Sequence, residues 1–196
     1  YLKGWRIGRR EVLELVPFVV IGAAMGMLTR WYEYHIVGAG KQDWSLSIGE
    51  RMLVAGRALA FYVMKLLMPI NLSFNYTRWQ LDIGDPAQWS WVLGVGAVGL
   101  LSWWKRSAWG RGPFVAFAFF SVTLAPALSF FKIYYMSYSF VADHFQYLAS
   151  IGIIALIIGS VAWGFDRWIK FGHIAEWMKP IPGFLVLVVL AALTWK

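Results

Sequence analysis

"IGIIALIIGSVAWG", residues 151–164, is apolar around the whole circumference of a helix. A core helix of a water-soluble domain carries one apolar stripe, whereas lipid asks for apolar side chains on every side. "FLVLVVLAAL", residues 184–193, has the same character. Working outward from these runs, the 196 residues are 60% hydrophobic and only 14% charged, with a mean hydropathy of +0.58. This is far from the usual composition of a soluble domain and implies an integral membrane protein, all-α in class.

The net charge of +8 does not point to nucleic acid. Lys and Arg stand in short clusters at the ends of apolar runs rather than on one amphipathic face, which is the distribution of the positive-inside rule. There is no Cys, so disulfides, thiolate metal sites and Cys nucleophiles are excluded. The chain starts at Tyr1 without an initiator Met and without a recognisable signal peptide. It is therefore expected to be an internal piece of a longer protein, and is treated as a single membrane module over residues 1–196.

Six apolar segments are expected, at 11–29, 48–68, 88–104, 112–131, 146–164 and 181–195. Lys3, Arg6, Arg9 and Arg10 precede the first, Lys105, Arg106 and Arg111 separate the third from the fourth, and Arg167, Lys170 and Lys179 separate the fifth from the sixth. If all three clusters are cytoplasmic, segment 48–68 must begin and end on the same side. Five crossings and one interfacial or re-entrant helix follow, with the N-terminus cytoplasmic and 30–47, 69–87 and 132–145 facing one another outside. Glu50 and Arg57, seven residues apart, share a face of segment 48–68, with Lys65 nearby, giving it the polar stripe of an interfacial helix. The alternative is a spanning helix with Arg57 buried against a pairing acid. Trp31, Tyr32, Trp89, Trp91, Trp103, Trp104, Trp163, Trp168 and Trp195 fall near segment ends, where aromatic belts anchor helices.

Three segments open with a capping pattern: Ser47 with Glu50, Asp85 with Gln88 (Pro86 between them), and Asp143 with Gln146. In each, the first side chain accepts from a free backbone N–H and the second can reach back to the cap's own N–H. Asp143 is thus expected to start helix 146–164, at the positive end of a dipole that favours a carboxylate. His144, beside it, can face an anion there or act as an ordinary interfacial His. With His35 and His173 distant in sequence, no metal site is expected.

Arg57 can reach a lipid phosphate in bidentate fashion, or snorkel, or pair with Glu50. "NYTRWQLD", residues 75–82, offers Tyr76, Arg78, Trp79 and Asp82, a mixture suited to stacking on a sugar and bonding its hydroxyls. Asn75-Tyr76-Thr77 matches a glycosylation acceptor pattern too short to carry a role. Pro126, in "TLAPALSFF", is expected to kink helix 112–131, with Thr123 helping to satisfy the freed carbonyl. "GAAMG", residues 22–26, is a small-residue repeat that would permit close helix approach. No Gly-rich phosphate loop, Ser-His-Asp order, zinc helix or paired-acid motif occurs.

"ERMLVAGRALAFYVMKLLMPINLSFNYTRWQLD" (residues 50–82), followed some sixty residues later by "SYSFVADHFQYLASIG" (residues 137–152), resembles the membrane region of TMTC-type proteins, above all bacterial ones. These join a multispanning module to C-terminal tetratricopeptide repeats. The resemblance covers most of residues 11–164. Where eukaryotic relatives read E-R-Y-L-Y-L-P-S, this chain has His144 for the Arg and Ala149 for the Pro. It implies a GT-C glycosyltransferase that takes a sugar from a polyprenyl-phosphate carrier, in a bacterial inner membrane, and passes it to an acceptor such as a protein. The acidic residues credited with catalysis in such enzymes lie in a first outer loop that is not in this chain, and the repeats are missing too. What remains is the C-terminal part of the module. Arg57, Arg78 and His144, with Tyr76, are then candidates for lipid phosphate or substrate binding. The competing expectation is a non-catalytic transmembrane subunit packed among lipids and other subunits. A transporter or channel is less well supported, since intramembrane charges are few and broken helices are not evident.

Overall fold

The computed structural model describes residues 8–37, 46–131, 134–170 and 181–195. Lys3, Arg6, His173, Lys179 and most of the outer segment after Tyr32 lie outside the described residues. Six helices follow in order: α1 (Arg9–Tyr32, continued by a wider turn over Glu33–Val37), α2 (Ile48–Leu67), α3 (Pro86–Trp104), α4 (Gly112–Leu124), α5 (Tyr147–Lys170) and α6 (Ile181–Thr194). No strand occurs among the described residues.

α2 begins as expected. The Ser47 amide donates to Glu50 Oε2 (2.7 Å) and the Glu50 amide donates to Ser47 Oγ (3.3 Å), so cap and third residue satisfy one another. These bonds hold the Glu50 carboxyl below its ordinary range. The helix then buries Leu53, Val54, Ala55, Ala58, Leu59 and Tyr62 along one side. At α3 the Asp85 carboxylate accepts from the Ala87 amide (2.9 Å), but Gln88 does not return the bond. Its side-chain carbonyl accepts instead from the Asp82 amide (3.3 Å), which stitches the preceding loop to the helix start.

Three glycines let successive helices meet. A Cβ on Gly56 would lie 2.7 Å from Val92 Cα, one on Gly99 would lie 2.7 Å from the Phe117 ring, and one on Gly152 would lie 2.8 Å from Phe119. At the α2–α3 and α4–α5 crossings the neighbour includes backbone, which cannot yield to a side chain, while at α3–α4 it is the end of the Phe117 ring. Between them Tyr62, Phe120, Leu124, Leu128, Val141 and Ala149 form the core.

Helix 112–131 is shorter than expected. α4 ends at Leu124, and Ala125–Ala127 form a single 3-10 turn rather than a kinked continuation. Pro126 has no N–H to give to the Val122 carbonyl, which accepts from the Ala125 amide instead, so the chain tightens into the 3-10 turn. Ser129 then takes a left-handed conformation (φ 64°). The Arg51 guanidinium from α2 donates to the carbonyls of Ser129 and Phe130, and to that of Leu46 (3.1 Å), tying this exit to the start of α2.

Val12–Ile36, along α1 and the wider turn after it, and Asp143–Arg167, along α5 and the turn before it, are long and apolar enough to cross a hydrocarbon core, while Gly112–Ala127 and Gly183–Thr194 are shorter apolar helices. α3, 19 residues long and expected to cross, is not among these, for Gln88 and Ser90 make its first turns too polar. None of the apolar window of α1 is buried, and Gly22 and Gly26 of its small-residue repeat meet nothing within 4 Å. Large apolar side chains such as Phe18, Leu93, Leu100, Val122 and Phe184 are left exposed, a surface that suits a lipid environment.

Candidate functional site

The loop between α2 and α3 is built on the last turns of α2. Arg57, Phe61 and Lys65 are spaced by four and share one stripe of the helix. Lys65 Nζ donates to the carbonyls of Ile70 (2.6 Å) and Asn71 (3.1 Å), folding the chain back after Pro69. Asn71 adopts a left-handed conformation (φ 51°), which Asn tolerates better than most residues.

The returning loop lays its aromatics across that stripe. Tyr76 meets Phe61 edge-on (4.9 Å between centroids), and Trp79 does so at 6.1 Å. The Arg57 guanidinium lies 4.4 Å from the Trp79 ring centroid, and the Lys65 ammonium lies 5.1 Å from that of Tyr76. Arg78 sits 4.8 Å from the ring of Phe140, which itself neighbours Trp79 at 6.1 Å. Arg57 and Arg78 thus flank one Trp79–Phe140 pair. A guanidinium over an aromatic ring is drawn to the negative face of its π-system.

Asp143 is not the helix cap that its spacing from Gln146 suggests. Asp143–Gln146 form a 3-10 turn whose preceding residue, Ala142, makes no side-chain cap, and α5 starts at Tyr147. The carboxylate is taken by a tertiary partner instead: the Tyr76 hydroxyl donates to it (2.9 Å to Oδ2), and the Ser73 amide donates to the same oxygen (3.3 Å). A local cap would offer this carboxylate a backbone N–H, whereas the loop offers it a hydroxyl and an amide together. Gln146 is buried with its side-chain oxygen unpaired among the described residues, so the second half of the expected box is missing as well. Burial pushes the Tyr76 hydroxyl up to about 12, and its bond to Asp143 adds to this.

A second tie joins the same two loops. The Tyr135 hydroxyl lies within hydrogen-bond reach of the Phe74 carbonyl (2.6 Å) and Asn75 Oδ1 (2.7 Å). Segments 69–87 and 132–145, expected to face one another, are in contact. Beneath them the Ala142 amide donates to the buried Tyr62 hydroxyl (3.1 Å). His144 is exposed, stacked on Phe74 (5.7 Å, 26°) and edge-on to Tyr135 (5.8 Å).

Of the predicted residues, then, Arg57, Arg78 and Tyr76 belong to one cation–aromatic layer, and His144 adjoins it through Asp143 and Phe74. Glu50 does not pair with Arg57; it serves its own cap. Sequence reasoning passed over Phe61, Ser73, Tyr135 and Phe140 and noted Lys65 only as a neighbour. The four-residue spacing of Arg57, Phe61 and Lys65 was a usable signal for the stripe, whereas nothing local marks Tyr135 as the partner of Asn75. No three His, Asp or Glu side chains among the described residues come together as metal ligands. The arrangement offers cations and aromatic faces to an anion or a sugar, with one carboxylate held between a hydroxyl and an amide. Comparison with known protein families, with curated proteins and with solved structures returns no match.

Proposed function

We propose that this chain is the C-terminal part of the membrane module of a polyprenyl-phosphate-sugar-dependent glycosyltransferase of the GT-C type, contributing lipid-phosphate binding and the shape of the substrate cavity. The observation that carries this reading is the stripe of Arg57, Phe61 and Lys65 overlaid by Trp79 and Tyr76. Cations stacked on aromatic faces suit a phosphate joined to a sugar, since the N–H edges bond the anion while rings pack against the apolar face of the sugar. In this arrangement five helices (α1, α3, α4, α5 and α6) cross a bacterial inner membrane and α2 lies at its outer surface. The meeting of 69–87 with 132–145 supports their lying on one side. Catalytic acids would come from a first outer loop outside this chain. A second reading, a non-catalytic subunit of a larger membrane complex, is favoured by the bare apolar face of α1.

The test is binding of polyprenyl phosphate to the full-length protein in detergent. Arg57→Ala is expected to weaken binding by about tenfold, the loss of one charge-assisted hydrogen bond, with a smaller loss for His144→Ala. Unchanged binding in both variants sinks the phosphate assignment, and absence of binding together with a stoichiometric co-purifying membrane protein favours the subunit.

A further inference from the structure

A cleft of about 930 Å³ runs along the α4–α5 pair, from Ile151 to Gly164 on α5. The two helices are antiparallel, for a Cβ on Gly152 would touch Phe119 and one on Gly112 would lie 3.9 Å from Leu156. Gly112 is the first residue of α4, while α5 runs on to Lys170. At 1.5 Å per residue α5 overhangs the start of α4 by roughly 20 Å. The overhang is closed on its other side by the turn that joins α3 to α4, so Ala108 and Trp109 line the cleft opposite Ser160, Trp163 and Gly164. An added Cβ at Gly159 or Gly164 would meet nothing within 4 Å, so this space is open rather than packed.

The lining is apolar, and two cations adjoin it: Arg111 directly precedes Gly112 of the lining, and Arg167 lies 5.3 Å from the ring of Trp163. Lys105 and Arg106 belong to the same turn but lie over Trp104 (5.4 Å) and Trp103 (4.1 Å). Asp166 is the one acid in the two segments, 105–111 and 159–167, that carry these four cations. The lined part of α5, from Ile151 to Gly164, is about 20 Å long, longer than the ~15 Å hydrocarbon depth of one leaflet.

We propose that this cleft seats one anionic phospholipid, its acyl chain along the α4–α5 groove and its phosphate beside Arg111 and Arg167. The charge of these two residues decides the occupant. A packing helix needs only the small residues of the groove, whereas Arg111 next to Gly112 and Arg167 over Trp163 put positive charge where a headgroup phosphate would lie. The site is independent of the cation–aromatic layer on α2.

The experiment is native mass spectrometry of the full-length chain in nonionic detergent with phosphatidylglycerol and phosphatidylcholine at equal concentration. Phosphatidylglycerol is expected to be retained about tenfold more. The double variant Arg111→Gln/Arg167→Gln should bring it down to the phosphatidylcholine level, and Gly159→Leu, which fills open space, should lower retention of both lipids. Equal retention of the two lipids by the unaltered protein overturns the proposal, as does a preference that survives the double Arg variant. So does a change of self-association in Gly159→Leu without loss of lipid, which would assign the groove to a helix. Displacement of phosphatidylglycerol by polyprenyl phosphate would give the cleft to the donor lipid and overturns it too. Should Gly159→Leu fail to fold, the double Arg variant, altered only at exposed positions, decides alone.

Discussion

Tyr62→Phe removes one oxygen and leaves every other atom of the side chain in place. Tyr62 and Ala142 are both 0% exposed, so when the hydroxyl goes, no water reaches the Ala142 amide that donates to it. A buried N–H left without an acceptor costs about 1–3 kcal/mol. Apolar burial is unchanged, since the ring stays. For a chain of about 200 residues each kcal/mol moves the midpoint by about 2–4 °C, so the expected loss at 2 kcal/mol is about 4–8 °C. The control is Tyr134→Phe, which removes a hydroxyl paired with that of Tyr138 (3.0 Å) at an exposed site. Water replaces that bond, and the cost should stay within about 0.5 kcal/mol. Thermal unfolding in detergent followed by tryptophan fluorescence gives the midpoints, and hydrogen exchange reads the Ala142 amide directly. If Tyr62→Phe is no worse than Tyr134→Phe and the Ala142 amide stays protected, the tie between α2 and segment 140–147 is not what holds these elements together.

Gly56→Ala should destabilise by about 1–3 kcal/mol, because its Cβ would press on the Val92 backbone. Gly94→Ala, in α3 but facing open space, should be neutral or stabilising by up to about 1 kcal/mol through helix propensity; thermal midpoints of the pair test the crossing. The third prediction concerns pH. Because folding lowers the Glu50 carboxyl below its unfolded value of 4.5, its contribution is fully present above that value and is lost as pH falls through the folded one. Exchange of the first-turn amides of α2, corrected for intrinsic rate, should therefore quicken on acidification below about 4.5. Ser47→Ala should cost about 1 kcal/mol and abolish that pH dependence; persistence of the dependence in the variant would refute the cap as its source.

Helix positions were readable because they depend on local signals. Ser47 with Glu50 and Asp85 before Pro86 start helices where their chemistry says they should, and the apolar runs of α1, α5 and α6 announce themselves by hydropathy. Asp143 shows where such reading fails. Its spacing from Gln146 is as good as that of Ser47 from Glu50, yet a hydroxyl 67 residues away takes the carboxylate, and no window of local sequence contains both. The exit of α4 at Pro126 was missed for a different reason: a Pro can bend a helix or end it, and residues 112–131 alone do not say which, nor that Arg51 of α2 holds the carbonyls beyond it. Arg57, Arg78 and Tyr76 could be singled out as polar residues in unusual places. That Trp79 and Phe140 would be the surfaces that gather the two Arg residues needed the fold.

The glycine crossings also bear on how the molecule comes together. Each joins helices that follow one another in sequence, α2 to α3, α3 to α4 and α4 to α5, so each can close soon after its second helix has been synthesised and inserted. Such near-neighbour closures need little chain entropy and proceed quickly. Pairings of Tyr62 with Ala142, Tyr76 with Asp143, and Tyr135 with Asn75 span 80, 67 and 60 residues. They cannot form until the segment before α5 has emerged. Arg57, Phe61, Trp79 and Tyr76 lie within 57–79 and can meet early, whereas Phe140 and Asp143 are expected to close on them later, and until then Tyr76 and Trp79 lack those partners. A chaperone or a lipid present during insertion would meet this layer before Asp143 closes on it.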